Sequence, residues 1–490
     1  MNVSFLQELL NSVAEQGRQL LPWGLGGQED IVELSRALVS GRGEASGVAI
    51  AHEILELWRS QPAAARQAFY TFLAEGLAPE PKTVAAMASA YVAAPSADAL
   101  SALQRAVESP RQEFFRRLNL APGATAAIVD LRKDLLRYLS DKPALKAVDD
   151  DLRHLLTSWF NRGFLVLRRI DWNTPAVVLE KIITYEAVHE IKGWDDLRRR
   201  LVPASRRCFG FFHPSLIDEP LIFVEVALMP EAPAGIHEVL GDMQRPSEDQ
   251  DGNVEDAGAP TTAVFYSISN CQDGLKGISF GNFLIKQVVE DLVRELPSLN
   301  TFVTLSPVPG FARWLNGAIS QPDTDVVSAA DRVALAGLAS PGWHANPTTE
   351  ARMRAPLLAL AAKYFLEVKA SDGRPLDPVA RFHLGNGARL DRINGLADTS
   401  PKGLREAHAV MVNYRYDLNE IEVNHEAYAN QGKVAASRAV RSLLRSGDRA
   451  RRAHRMVEPV PAAAAKSGTV TAAKPTPKLP APVKGDDPVR

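Results

Sequence analysis

The stretch that decides the fold is Phe265–Lys286, FYSISNCQDGLKGISFGNFLIK. Apolar and β-branched residues dominate Thr261–Ile268, which is typical of a buried strand. Gly274, Gly277 and Gly281 then interrupt the pattern, and the apolar positions after them recur with helical spacing. Glycines in a strand-to-helix turn let backbone N–H groups approach a ligand closely, and the start of a helix carries partial positive charge. The stretch therefore predicts a strand, a turn suited to phosphate or pyrophosphate, and a helix.

The glycine spacing distinguishes this turn from two common phosphate-binding motifs. No Gly-Lys-Ser or Gly-Lys-Thr follows, as it does in nucleotide P-loops, and the glycines lack the GxGxxG spacing of dinucleotide-binding folds. A purely structural turn is an equal alternative on this segment alone. Among ligand-binding turns, the segment most resembles the looser pyrophosphate turn of acyl-CoA-binding folds of the acetyltransferase type.

Composition narrows the class of protein. The chain has 490 residues with a hydrophobic share of 46%, enough for a core shared by two or three domains. A net charge of −2 provides no overall electrostatic attraction to nucleic acid, so we expect no nucleic-acid partner. Cys208 and Cys271 are too few for a disulfide framework and have no ligand partner at CxxC spacing. We therefore expect a reducing compartment and no metal site.

The apolar runs and the terminal sequences of the chain bear on where the protein is located. The chain has no run of about eighteen apolar residues, so we expect no membrane span. Its first residues, MNVSFLQELL, match neither a secretory signal nor an Arg-rich transit segment, and the final DPVR is not a peroxisomal signal. We expect a cytoplasmic protein.

Seven arginines between Arg438 and Arg455 are more typical of a solvated helix face than of a nucleic-acid arm.

Three regions follow one another along the chain. Residues 1–165 have apolar positions three and four apart with short breaks at prolines, which predicts a helical bundle for packing or oligomerisation. Residues 166–456 mix strands and helices, which predicts a sheet domain. Residues 457–490 are rich in Ala, Pro, Lys and Thr, and we predict that they are disordered. The fold class predicted from this order is α+β.

Strand predictions concentrate in the second region. The predicted strands are Arg206–Phe212, Pro220–Leu228, Thr261–Ser269, Thr301–Leu305 and Val410–Tyr416. A helix is predicted from Asn282 to Leu296, and mainly helical pattern from Ser306 to Lys369. This mixture favours one sheet covered by helices.

Two residues are candidates for chemistry. His383 lies in ARFHLGNGA, an apolar strip that runs into glycines, although a satisfied buried histidine is the more common occupant of such a position. Ser306 lies in FVTLSPVPGF at the end of a predicted strand, where a serine often caps the next helix. No GxSxG surrounds it, so an α/β-hydrolase nucleophile is disfavoured. His213, in FGFFHP, is as typical of a structural cap as of a site.

Several separate motifs, in order, resemble those of the malonyl-CoA decarboxylase family and cover about residues 110–435. The segments are RLNLAPGATAAIVDLRKDLL (117–136), WFNRGFLVLRRIDW (159–172), EAVHEIKGWDDLRRRL (186–201), RRCFGFFHPSLIDEPLIFVEVAL (206–228), FYSISNCQDGLKGISFGNFLIK (265–286), LSPVPGF (305–311), ARFHLGNGARLDRINGLADTS (380–400) and MVNYRY (411–416). Many motifs in the right order are far more specific than any single turn.

The resemblance implies a helical N-terminal domain joined to a catalytic domain of acetyltransferase type (GNAT-like). It implies that Ser306 matches the family's active-site serine and His383 its active-site histidine. It implies that CoA binds at Lys276, Gly277, Ile278, Ser279, Phe280, Gly281 and Asn282. Ser279 departs from the family, which has a carboxylate within this turn. The resemblance further implies malonyl-CoA as substrate, acetyl-CoA as product, no cofactor, and a homo-oligomer, either a dimer or a tetramer.

The chemistry expected of this family needs no metal, because the thioester itself accepts the electrons released when CO2 departs. We hypothesise that His383, near its ordinary pKa of about 6.5, protonates the resulting carbanion. Ser306 would hold the carboxylate or the imidazole in place, and backbone N–H groups would stabilise the oxyanion. Two alternatives remain at this point: a CoA-dependent acyltransferase on the same scaffold, and a non-catalytic acyl-CoA-binding protein.

Overall fold

The computed structural model describes residues 30–40, 44–241, 259–278, 284–321 and 326–444. The tail predicted to be disordered, residues 457–490, lies outside the described residues. So do four members of the predicted CoA turn, Ser279, Phe280, Gly281 and Asn282.

The N-terminal region is helical, as predicted. Apolar residues three and four apart form its inner faces; in one helix Phe69, Tyr70 and Leu73 are buried together. Local caps set several starts, such as the Ser96 hydroxyl, which accepts the N–H of Ala99. The helices are α1 Ile31–Val39, α2 Glu44–Ser60, α3 Ala63–Glu75, α4 Pro81–Ala93, α5 Ala97–Val107, α6 Pro110–Leu118, α7 Ala124–Leu135 and α8 Lys146–Trp159.

A mixed eight-stranded sheet follows. Its strands are β1 Val166–Ile170, β2 Arg206–His213, β3 Leu216–Met229, β4 Thr262–Asn270, β5 Thr301–Thr304, β6 Ser306–Pro307, β7 Arg389–Asn394 and β8 Met411–Arg415. The order across the sheet is β1-β2-β3-β4-β5-β8-β6, and β7 pairs with the other edge of β8. Together with the helical region, this sheet confirms the predicted α+β class.

The centre of the sheet opens at the parallel pair β4–β5. Thr262 to Phe265 pair with Thr301 to Thr304, and the N–H of Leu305 donates to the carbonyl of Phe265. Beyond that point β4 continues to Asn270, whereas Ser306 pairs with Val412 of β8. The two strands therefore part and leave a gap between them.

Three strands were not predicted, β1, β7 and the two-residue β6. Strand β1 lies at the edge of the sheet, and its sequence VLRRI places most side chains in partial or full exposure, so no apolar alternation shows. Strand β7, RLDRIN, carries three charged residues, Arg389, Asp391 and Arg392. Edge position and charge removed the pattern on which the strand predictions depended.

Helices cover the sheet. They are α9 Ala176–Tyr185, α10 Trp194–Leu201, α11 Ile236–Leu240, α12 Leu284–Glu295, α13 Phe311–Ser320, α14 Ala329–Leu335, α15 Pro347–Leu366, α16 Pro378–Gly385, α17 Pro401–Ala407 and α18 Ile421–Gln431. None of the helices in the described part of the chain is long and apolar enough to cross a membrane.

The helical region and the sheet share one buried apolar cluster. It contains Phe114 and Leu131 from the helices, and Phe265 and Leu360 from the region of the sheet. The contact is closest at Gly274, where a Cβ atom would lie 1.9 Å from the carbonyl oxygen of Val129. This glycine is therefore required for packing against α7.

Candidate active site

Ser306 and His383, 77 residues apart in sequence, meet at the gap in the sheet. The Ser306 Oγ lies 3.1 Å from the His383 Nε2, which is hydrogen-bond distance. Ser306 is on β6, just after the parting of β4 and β5, and His383 is on α16. Helix α13 begins only at Phe311, so Ser306 does not cap it, and the capping interpretation is wrong.

Each residue of the pair has a second partner. The His383 Nδ1 lies 2.8 Å from the Tyr416 hydroxyl, and the imidazole stacks on the Tyr414 ring at 4.5 Å. The Ser306 hydroxyl donates to the Thr304 Oγ1 at 2.8 Å. A continuous polar chain therefore runs from Tyr416 through His383 and Ser306 to Thr304, all of them buried.

The imidazole is neutral in this environment. Burial lowers the pKa of His383 to about 3, because the charged form loses its hydration. The expectation of an imidazole near its ordinary pKa of about 6.5 is therefore wrong for this environment. Burial also raises the pKa of the Tyr416 phenol well above its usual range, so both partners are uncharged at neutral pH.

A cavity of about 250 Å³, the inner cavity, opens onto the pair. Ser306 and His383 both line it, and Tyr416 does not, so the Nε2 edge of the ring is the one nearer the cavity. Most of the other lining side chains are apolar: Val188, Phe265, Ile268, Leu305, Pro307, Pro378, Val379 and Phe382. Tyr266 and Asn270 complete the lining. A group held here is therefore surrounded mainly by apolar side chains.

A second cavity, of about 670 Å³, contains the described part of the predicted CoA turn. This outer cavity is lined by Lys276, Gly277 and Ile278, together with Leu221, Ile222, Asn270, Gln272, Asp273, Leu275, Leu284, Arg381, Phe382, Gly385 and Asn386. Asn270 and Phe382 line both cavities. The two cavities therefore adjoin, and together they form a cleft from the turn to Ser306 and His383.

At one glycine of the turn, Gly277, the backbone has the conformation that the sequence suggested. Gly277 has a φ of +78°, which side-chain-bearing residues rarely adopt, and nothing lies within 4 Å of where its Cβ would be. Its exposed backbone is therefore accessible to a ligand in the outer cavity. Lys276, next to it, is exposed and carries a positive charge.

Helix α16 is held at its start by Asp377. The Asp377 Oδ1 accepts the N–H of Ala380 at 2.8 Å, which is an N-cap bond. Burial raises the pKa of the Asp377 carboxyl to about 6, although backbone hydrogen bonds act in the opposite direction. This cap fixes the start of the short helix that carries His383.

Thr304, Tyr414 and Tyr416 are the site residues that the sequence analysis missed. A signal was present for Thr304, because residues two apart on a strand share a face and Thr304 is two before Ser306. The tyrosines are also two apart, in VMVNYRY, but nothing in that strand indicated which histidine they contact.

The other candidates lie elsewhere. His213 is buried, and its Nδ1 accepts the N–H of Ser215, which fits its structural interpretation. Among the described residues, no group of three or more His, Cys, Asp or Glu side chains could hold a metal ion.

Comparison with known proteins identifies the family. Residues 163–454 match the model of the malonyl-CoA decarboxylase C-terminal domain, and residues 77–160 match that of the N-terminal domain. The mitochondrial malonyl-CoA decarboxylase of Anser anser anser is 37% identical over 359 residues, which are 69% of this chain and 70% of that protein. The Rattus norvegicus protein of the same name is 37% identical over 353 residues, 68% of this chain and 70% of that protein.

Solved structures agree. The crystal structure of malonyl-CoA decarboxylase from Rhodopseudomonas palustris is 55% identical with a TM-score of 0.79, covering 84% of this chain and 98% of that one. The Agrobacterium vitis structure is 54% identical with a TM-score of 0.79, covering 85% and 100%. Because the domain models, the relatives and the solved structures all match, this chain belongs to the malonyl-CoA decarboxylase family.

Proposed function

We propose that this protein is a carboxy-lyase that converts malonyl-CoA to acetyl-CoA and CO2. Membership of the family supports the reaction. The observation that carries the proposal is the adjoining pair of cavities, one at the glycine turn and one at Ser306 and His383. Such a cleft suits a long thioester substrate with a charged end and a reactive end.

The CoA diphosphate lies at the turn that the sequence predicts from Lys276 to Asn282. The open backbone of Gly277 and the positive charge of Lys276 support this assignment. The pantetheine arm passes the boundary between the cavities, at Asn270 and Phe382, and the malonyl group enters the inner cavity.

The apolar inner cavity favours loss of CO2. A carboxylate taken out of water into apolar surroundings is destabilised, and the charge leaves the carboxyl carbon as CO2 forms. The electrons of the broken C–C bond flow into the thioester, giving an enolate. The thioester is itself the electron sink, so we propose no cofactor.

Protonation of the enolate completes the reaction. His383 gives its Nε2 proton to the α-carbon, and water returns a proton to the imidazole afterwards. A neutral imidazole is a suitable acid here because a thioester enolate is a strong base, and neutral histidine acts as an electrophile in other enzymes. Ser306 holds the Nε2 edge towards the cavity until substrate arrives.

Three further expectations stay predictions. They are the domain boundary near residue 165, the homo-oligomeric state, and the cytoplasmic location. The goose and rat relatives are named as mitochondrial, so the compartment of this chain needs its own measurement. Neither the acyltransferase nor the non-catalytic alternative is favoured by any feature of the site.

A product assay tests the proposed function. Purified protein is incubated with malonyl-CoA while CO2, acetyl-CoA and free CoA thiol are followed together. We expect CO2 and acetyl-CoA in equal amounts with no free thiol. Free CoA without CO2 would indicate acyl transfer or hydrolysis, and unchanged malonyl-CoA would indicate a binding protein.

A further inference from the structure

Thr304 occupies a position where the sheet ladder is interrupted. The pairs Val303↔Arg415 and Ser306↔Val412 are in one antiparallel register, which places Thr304 opposite Tyr414. The N–H of Tyr414 donates to the Thr304 side-chain Oγ1 at 3.1 Å. The Thr304 carbonyl oxygen accepts from the Asn413 side-chain amide at 2.8 Å. Side chains have therefore replaced backbone partners beside Ser306.

The Thr304 hydroxyl oxygen also accepts the Ser306 hydroxyl proton, at 2.8 Å. A serine hydroxyl has a single hydrogen, so Ser306 can meet His383 only as an acceptor. The proton of the contact between Ser306 and His383 must then belong to the His383 Nε2.

The hydrogen bond at the other ring nitrogen of His383, Nδ1, is consistent with a proton on Nε2. If Nε2 carries the proton of the neutral ring, Nδ1 is an acceptor and receives the Tyr416 O–H at 2.8 Å. In the opposite direction, the buried Tyr416 hydroxyl hydrogen would have no acceptor among its contacts in the described part of the chain. In the direction adopted here the Thr304 hydroxyl hydrogen is likewise without an acceptor among the described contacts, so the tautomer rests on the direction of the bond from Ser306 to Thr304.

We propose that Thr304 is a positioning residue that fixes the Ser306 proton and thereby holds His383 in the Nε2–H tautomer. Its importance for turnover rests on the proposed function, in which the Nε2 proton is the one delivered to carbon. Thr304 itself does not contact substrate, because it is fully buried behind Ser306 and does not line the inner cavity.

The test combines ¹⁵N NMR of histidine-labelled protein with steady-state kinetics. The Thr304→Val variant keeps the shape of the side chain and removes the acceptor, and the Thr304→Ser variant keeps the acceptor. Thr262→Val is the matched control, since Thr262 is a buried threonine on β4 whose hydroxyl is not part of the site. The signals of His383 are assigned by their loss in His383→Gln.

We expect a protonated-type Nε2 and an unprotonated-type Nδ1 in the wild type. In Thr304→Val the freed Ser306 hydroxyl donates to Nε2, so the two signals exchange. For the same variant we expect kcat to fall roughly tenfold to a hundredfold, with KM within about threefold, because the interaction lost serves the chemical step. Thr304→Ser should restore both readouts, and Thr262→Val should change neither.

Three results would overturn the proposal. They are an Nδ1–H tautomer in the wild type, an unchanged tautomer in folded Thr304→Val, and a Thr304→Ser variant as impaired as Thr304→Val. The wild-type spectrum, assigned with His383→Gln, does not depend on Thr304→Val, so it remains decisive even if Thr304→Val does not fold. The tautomer is read without turnover, so a protein with the expected tautomer that releases no CO2 would contradict the proposed function alone.

Discussion

The inner and outer cavities differ in size and polarity, although Asn270 and Phe382 line both. The inner cavity is small and mostly apolar, and its polar chain is buried and uncharged. The outer cavity is larger and holds charged side chains, among them Lys276 and Arg381. We propose that the outer end anchors the ligand by charge and that the inner end carries out the chemistry among apolar side chains.

The largest effect is expected at the inner end. His383→Gln removes the proposed proton donor, and we expect kcat to fall roughly 10²- to 10⁴-fold, the usual contribution of a general acid. CoA affinity should stay within about threefold, because the outer cavity is unaltered. Steady-state kinetics and calorimetry of CoA binding measure both.

His213→Gln is the matched control, since it is also a buried histidine but lines neither cavity. It should keep nearly full kcat. Retained turnover in His383→Gln would remove His383 from the mechanism and leave the inner cavity without a proton donor.

The second effect concerns the stability of the inner end. The pKa of Asp377 is about 6 in the fold against an ordinary 3.8, so between pH 4 and 6 the unfolded chain loses a proton that the folded chain keeps. This contribution to stability is therefore full below pH 4 and is lost as pH rises through 6. The pKa difference corresponds to about 3 kcal/mol.

Asp377→Asn keeps a cap acceptor and cannot ionise. Relative to the wild type, its free energy of unfolding should rise by about 3 kcal/mol between pH 4 and pH 7. Urea unfolding of both proteins at several pH values measures this difference, in which other titrating groups cancel. A difference independent of pH would show that the carboxyl titrates normally.

A third, smaller effect is expected at the outer end. Gly277→Asp places a negative charge beside the proposed diphosphate site, and we expect the Kd for CoA to rise roughly tenfold or more, with kcat at saturation little changed. Gly342→Asp is the matched control, because Gly342 also has a positive φ of +70° and open space around it. Equal CoA affinity in Gly277→Asp and the wild type would show that the turn does not bind the diphosphate.

The smallest effect is expected in the dependence of kcat/KM on pH. Because the pKa of His383 is about 3, its charge does not change between pH 6 and 8. We therefore expect kcat/KM to show no fall with a midpoint near 6.5 as pH rises. A fall near 6.5 that traces to His383 would mean that the imidazolium is the acid and that burial does not neutralise the ring.

The sequence predicted the overall fold more completely than it predicted the outer cavity. Strand β4, the turn at Gly277 and helix α12 follow from apolar runs broken by glycines, which are local patterns. Gly274 has the same local pattern, yet it serves contact with α7, because packing partners distant in sequence leave no local sign. The roles of Ser279 to Asn282 stay predictions, since those residues lie outside the described part of the chain.

For the inner end, the resemblance to the family named Ser306 and His383, and the structure brings them to 3.1 Å. The sequence could not give the neutral state of the His383 imidazole, because that state depends on complete burial by residues from several elements. Edge strands such as β1 escaped prediction for a related reason, since their exposed arginines carry no pattern of burial.

The most direct test of the division between the two ends is a crystal structure with acetyl-CoA bound. We expect the diphosphate against the backbone at Gly277, the arm between Asn270 and Phe382, and the acetyl carbon about 3 to 4 Å from the His383 Nε2. An acyl group directed away from the inner cavity, or an imidazole walled off from it, would contradict the account.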